Sequence, residues 1–134
     1  ISKQTGAIMP KMREVDTFLQ DNADARMAFK EIHPEVCFWS LAGKRSMENN
    51  KKEWAGVEER IVVMDSFIPD TRGISPQEIP KLKETKLEVS ADDILDALAA
   101  LVTIDREEGS LCTLPENPET DSTGLPMSIA YRLP

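Results

Sequence analysis

The apolar positions of this chain fall into a few periodic stretches separated by polar and proline-rich breaks. Over residues 10–20, Met12, Val15 and Leu19 recur at spacings of three and four, the mark of one apolar helix face, and Pro10 suits a first helical position. Asp21-Asn22-Ala23-Asp24 is a polar break. Residues 27–32 are brief, carry Phe29 and Ile32, and stop before His33-Pro34, where the residue preceding proline favours extended backbone; they predict a strand. Residues 34–42 predict a short, largely buried helix with Gly43 past its end. A basic loop over 44–52 follows. Residues 53–68 give the clearest helical period, with Trp54, Val57, Ile61, Met64 and Ile68 in step and Pro69 beyond. Residues 70–89 are irregular: Ser75-Pro76-Gln77-Glu78 reads as a capping box opening a turn that Pro80 then disturbs. Residues 90–107 predict a second strong helix, closed by Gly109. A loop-rich tail covers 113–126, and Met127, Ile129 and Tyr131 alternate as in a short final strand.

This order predicts a single α/β domain over residues 1–134 in which helices dominate. Two short strands are too few to cover the apolar faces of these helices. The imbalance implies strands that are missing or come from another chain, so a homo-oligomer or a partner chain completing the sheet is expected. The 134 residues fit one domain, and a hydrophobic fraction of 40% with 30% charged residues supports an ordinary core. No run reaches the roughly 18 apolar residues of a membrane span, and no basic-then-apolar start suggests a leader. The first residue is Ile1, which fits a processed or truncated start. Cys37 and Cys112 each sit among apolar neighbours and read as buried thiols; without a CxxC pair and with one histidine, neither a disulfide nor a metal pair is expected, and a cytoplasmic location follows. The net charge of −8 argues against a surface that coats nucleic acid. It leaves room for an acidic site that holds cations, with phosphate contacts left to local basic groups such as Lys44 and Arg45, Lys51 and Lys52, or Lys81, Lys83 and Lys86.

Two places concentrate chemistry. At Glu31-Ile32-His33-Pro34-Glu35, Glu31 ends the predicted strand, and ligands in open α/β sheets bind beyond the carboxyl ends of strands. His33 and Glu35 could reach the same crevice. A purely structural reading stands beside this one: Glu35 suits the first turn of a helix, and His33 could cap it. At Asp92-Asp93-Ile94-Leu95-Asp96, Asp93 and Asp96 are three apart and share a helix face. Ser90 as N-cap with Asp93 at the third helical position accounts for two of the acids. It accounts less well for Asp96, about two turns in. Carboxylates from a strand end and a helix face are what magnesium, an oxygen-seeking cation, requires, and two such ions can drive phosphodiester hydrolysis.

These two motifs, in this order, resemble an uncharacterised family of predicted ribonuclease-H-like nucleases. Ser2-Lys3-Gln4, the run from Pro10 to Asp16, Lys51-Lys52 with Gly56 and Glu59-Arg60, and Gly124-Leu125-Pro126-Met127 with Ile129 and Tyr131 extend the resemblance over most of the chain. The Asp-x-x-Asp-Ala-Leu-Ala pattern at Asp93 is also similar to the last catalytic helix of RuvC-type Holliday-junction resolvases. The resemblance implies a ribonuclease-H-like fold, of which this is the C-terminal part. It implies a site of Glu31, Asp93 and Asp96 holding Mg2+ or Mn2+, with His33, Glu35 and Asp92 in secondary roles. The family begins with a glycine-rich strand bearing an aspartate, which this sequence does not contain, so the expected metal-dependent nuclease is inactive as this chain. Lys51, Lys52 and Arg60 are the candidate phosphate contacts to a nucleic acid; a solvated helix flank is their plain alternative. The rival reading is a non-catalytic binding or assembly module, and a third is a hydrolase of a small phosphorylated substrate.

Overall fold

A computed structural model of the chain describes residues 3–68, 90–105 and 109–134. The expected turn at Ser75–Glu78, the lysines at 81, 83 and 86, and the last residues of the predicted 90–107 helix lie outside the described residues. Within them the order is α1 (Lys3–Asp21), α2 (Ala23–Ala28), α3 (Pro34–Leu41), α4 (Trp54–Asp65), α5 (Ala91–Asp105), β1 (Leu111–Leu114) and β2 (Ile129–Arg132). The architecture is α/β with helices predominating and a small antiparallel sheet.

Helices α3, α4 and α5 enclose the core. Cys37, Phe38 and Leu41 of α3 meet Val57, Ile61 and Met64 of α4 and Leu95, Leu98, Ala99 and Val102 of α5. The small residues Ala91 and Ala99, both buried, let α5 lie close against its neighbours. Strand β2 packs on α3 and α5. The Ser40 hydroxyl donates to the Arg132 carbonyl at 2.7 Å, and Arg132 Nε donates to the Thr103 carbonyl at 2.7 Å, tying the strand to both helices. Trp39 meets Tyr131 edge to face.

Strand β2 pairs antiparallel with β1, from Leu111 opposite Arg132 to Leu114 opposite Ile129. On its other side a single parallel bridge joins Ile32 to Ala130, whose N–H donates to the Glu31 carbonyl at 2.7 Å. The strand expected over 27–32 is thus reduced to this one bridge. Asn22 is the reason: its side-chain oxygen accepts from Ala25 N–H, an N-cap that draws Ala23–Ala28 into a helix with Asp24 in its first turn. Strand β1 falls where loop was expected to begin at Thr113. It has little alternation to show, and Pro115 follows it at once.

Helix α1 starts seven residues earlier than the apolar period, and Pro10 lies inside it rather than at its start. The helix packs against α2 and leaves Ile8, Met12, Val15 and Phe18 about half exposed. Among the described residues no helix is long and apolar enough to cross a membrane.

A candidate acidic centre

The first turn of α3, the start of α5 and the loop before α4 bring opposite charges together at one edge of the helical core. Lys51 Nζ bonds Asp96 Oδ2 at 2.6 Å, with the lysine side chain 31% and the aspartate side chain 22% exposed. The other oxygen, Asp96 Oδ1, is buried without a hydrogen-bond partner. The hydrogen bond to Asp96 raises the Lys51 pKa above its ordinary value, against the opposing effect of burial, and the charges of Asp96, Asp92 and Glu35 add to the rise. Four acidic or basic groups from three elements therefore act on one another here.

Glu35 is held by Arg60 of α4. Arg60 Nη2 donates to both Glu35 oxygens at 2.8 Å, and Nη1 donates to the carbonyls of Gly56 at 2.8 Å and Asn49 at 3.2 Å. Its guanidinium carbon lies 5.5 Å from the centre of the Phe38 ring. The residue is 2% exposed. Arg60, expected as a phosphate contact, is a buried cation whose Nη1 and Nη2 serve a carboxylate and two carbonyls. Its period explains this, because Arg60 follows Val57 and precedes Ile61 and Met64 on the inward face of α4.

The loop carrying Lys51 is cast by the same helix. Glu59 accepts from Glu48 N–H at 2.8 Å, Asn49 N–H at 2.9 Å and the Asn49 side-chain amide at 3.3 Å. These backbone donors hold its carboxyl below the ordinary carboxylate value. Gly56 is required at its position, since a Cβ there would stand 2.1 Å from the Asn50 carbonyl oxygen. The word Lys51-Lys52 with Gly56 and Glu59-Arg60 is thus one device: a helix end that shapes the loop and aims its lysine.

At the start of α5, Ser90 donates to Asp93 Oδ2 at 2.5 Å and accepts from Asp93 N–H at 3.3 Å. The Ser90 side chain thus caps the helix at Asp93 N–H and also holds the Asp93 carboxylate, so Asp93 carries a structural role. Ser90 also lowers the Asp92 pKa by hydrogen bonding, helped by the charges of Lys51 and Lys52. Lys51, Lys52, Ser90, Asp92 and Asp93 line one small cleft.

Glu31 lies elsewhere. It is exposed and lines a groove of about 1040 Å3 between α1 and residues 114–130, together with Met12, Phe29 and Met127. It shares no lining with the cleft of Asp92 and Asp93. The loss of the strand over 27–32 explains this placement. His33 is the N-cap of α3 but makes no side-chain cap bond. Asp96 is paired with Lys51, Glu35 with Arg60, and Asp92 lines the cleft beside Asp93; Glu35 and Asp92 were secondary candidates by sequence. The signal that marks Glu35 is its buried arginine, visible only once Arg60 is placed on the inward face of α4. Among the described residues no group of three or more His, Cys, Asp or Glu converges as a ready metal cage. The donor chemistry nevertheless suits a hard cation: all donors are carboxylates, and the buried Asp96 Oδ1 is an acceptor in want of a partner.

The model of a family described as "Protein of unknown function (DUF429)" matches residues 1–120, and the chain belongs to that family. No curated protein and no solved structure matches the chain.

Proposed function

We propose, taking membership of the DUF429 family as the premise, that this chain contributes the acidic centre of a ribonuclease-H-like, metal-dependent phosphodiesterase acting on nucleic acid. The observation that carries the reading is the buried, unpartnered Asp96 Oδ1 beside Lys51. A buried acceptor without a partner costs on the order of 1–3 kcal/mol, a cost that a ligand would remove. In this proposal Asp96 and Asp92 hold Mg2+ or Mn2+, with Glu35 rather than Glu31 as the carboxylate from the preceding element. A divalent ion held there would supply an activated water and neutralise charge at the phosphate. Arg60 orients Glu35, Ser90 orients Asp93, and Lys52, exposed at the cleft mouth, faces the incoming phosphate.

Titration of the chain with Mn2+, followed by calorimetry, tests the centre. Binding that disappears in Asp96→Asn is expected; binding indifferent to that change would refute the reading. Among the described residues no three acids converge on one point, and two-metal chemistry needs a fuller set. DNA and RNA are therefore expected to stay intact in this chain's presence with Mg2+, and cleavage abolished by Asp96→Asn would show that expectation wrong. A second reading, a module that pairs with another chain, is favoured by the exposed apolar face of α1.

A further inference from the structure

We propose that α1 is an interface helix: it pairs in parallel with α1 of a second copy of this chain, in the groove beside it, and Lys11 of each copy meets Asp16 of the other. The inference deepens the second reading, a module that pairs with another chain, and rests on it.

Ile8, Met12, Val15 and Leu19 follow one another at spacings of four, three and four, the a and d pattern of a two-stranded coiled coil. All four line the groove of about 1040 Å3 between α1 and residues 114–130, and the first three are about half exposed. Pro10 falls on the face of α1 away from this seam and does not obstruct it. Two heptads are short for a coiled coil by itself, where about three or four are usual. Phe29 and Met127, both exposed in the groove, offer the incoming helix further apolar surface. They carry the contact toward the roughly 800 Å2 per partner of a stable dimer.

Charge selects the occupant and its direction. Lys11 and Asp16 flank the seam at positions g and e, and both line the groove. In a parallel pair a g residue faces the e residue of the next heptad in the other helix, so Lys11 faces the partner's Asp16, and two-fold symmetry makes the ion pair twice. In an antiparallel pair the same layers set Lys11 against the partner's Phe18 and Asp16 against the partner's Met9, and the charges go unmatched. A second copy thus brings both complements at the required spacing. Neither group is locked within its own chain. Lys11 Nζ bonds Glu14 at 3.0 Å with both side chains largely exposed, a contact worth little. Asp16 Oδ2 accepts from the Gln20 side chain at 2.9 Å, and a carboxylate has room for a further donor. Helix α1 carries Lys3, Lys11 and Arg13 against Glu14, Asp16 and Asp21, so the net charge of −8 is borne by other parts of the chain and does not repel at this face.

Sedimentation equilibrium of the whole chain across micromolar concentrations reads the pairing, and circular dichroism checks that each variant is folded. The parent is expected to dimerise. Lys11→Glu or Asp16→Lys alone sets like charges face to face twice, and each should weaken the dimer about tenfold. An equimolar mixture of the two variants should recover the parent affinity, since each chain then meets its complement. The double variant Lys11→Glu with Asp16→Lys should recover it as well. Both side chains stand outside the core, so helix content should not change. A dimer of parent strength in both single variants, or no recovery in the mixture, would overturn the parallel pairing and leave the second reading standing. A parent that stays monomeric at every concentration would overturn self-pairing itself, and this inference with it.

Discussion

Arg60 decides more of this site than any acid does. Its side chain is 3% exposed, while that of its partner Glu35 is 38% exposed, so the two halves of the pair are unequal. Nη1 and Nη2 of Arg60 are matched while its buried Nε has no partner, and removing one member of such a pair costs about 3 kcal/mol or more. Arg60→Met should therefore lower the unfolding free energy by about 3 kcal/mol in urea. Glu35→Gln should cost less, because the amide oxygen and two carbonyls still receive the guanidinium. The double variant should be more stable than the sum of the two losses predicts, since neither charge is then left alone. Additive losses would mean that the pair is not coupled. Sequence reading placed Arg60 among phosphate contacts because Lys51-Lys52 stands nearby. The inward face of α4 was equally legible from Val57, Ile61 and Met64, and the side chain follows that face.

At the level of elements, α4 shapes the loop before it through Glu59. The carboxyl is held below its ordinary value of 4.5 mainly by the Glu48 and Asn49 N–H groups. A carboxyl with a depressed folded pKa contributes stability that is full above the unfolded value and is lost as pH falls through the folded one. Glu59→Gln is expected to cost about 1 kcal/mol at pH 7, the scale of a typical net hydrogen bond. The gap from the parent should close as pH falls from about 4.5 downward, and a gap constant down to pH 3 would count against the clamp. Helices α4 and α5 were legible because their period of three and four persists over several turns, and α3 because Pro34 and Gly43 bracket a short apolar run. The strand over 27–32 was not, because Asn22 captures the chain for a helix and leaves only Ile32 to bridge Ala130. Asp96 stood out in the sequence for its depth in the helix, beyond the reach of an N-terminal cap. Lys51 was not recognisable as its partner, since 45 residues separate them and only the loop's backbone bonds bring them together.

For the molecule as a whole, the core closes on α3, α4, α5 and β2, while α1 stands outside it with an apolar face open. Uncovered apolar surface is found on α1 and, in smaller measure, on α4 and α5, where Trp54, Leu101 and Ile104 are exposed while Val57, Ile61, Leu95 and Leu98 are buried in the core. If the α1 face pairs with a second copy, burial of about 800 Å2 on each side would hold a stable dimer. Sedimentation at micromolar concentration should then give a dimer mass, and Met12→Lys should shift it to monomer with little change in melting temperature. A monomer mass for the parent chain would leave α1 without a self-partner.

The two cysteines carry a consequence for how the core can be watched in time. Cys37 is fully buried between α3 and its neighbours, whereas Cys112 lies part-exposed on β1. Burial raises the Cys37 thiol above its ordinary pKa, which removes the thiolate that reagents attack. A thiol reagent in excess should thus label Cys112 promptly and Cys37 only during moments when α3 parts from α5. The slower phase then measures the opening equilibrium of the helical core. Its ratio to the rate in denaturant gives that equilibrium directly when reclosing outpaces labelling. A single labelling phase for both thiols would show that the core opens as easily as the strand at its edge. Two well-separated phases would give the protein a chemical clock of its own, with one hand on the surface and one in the interior.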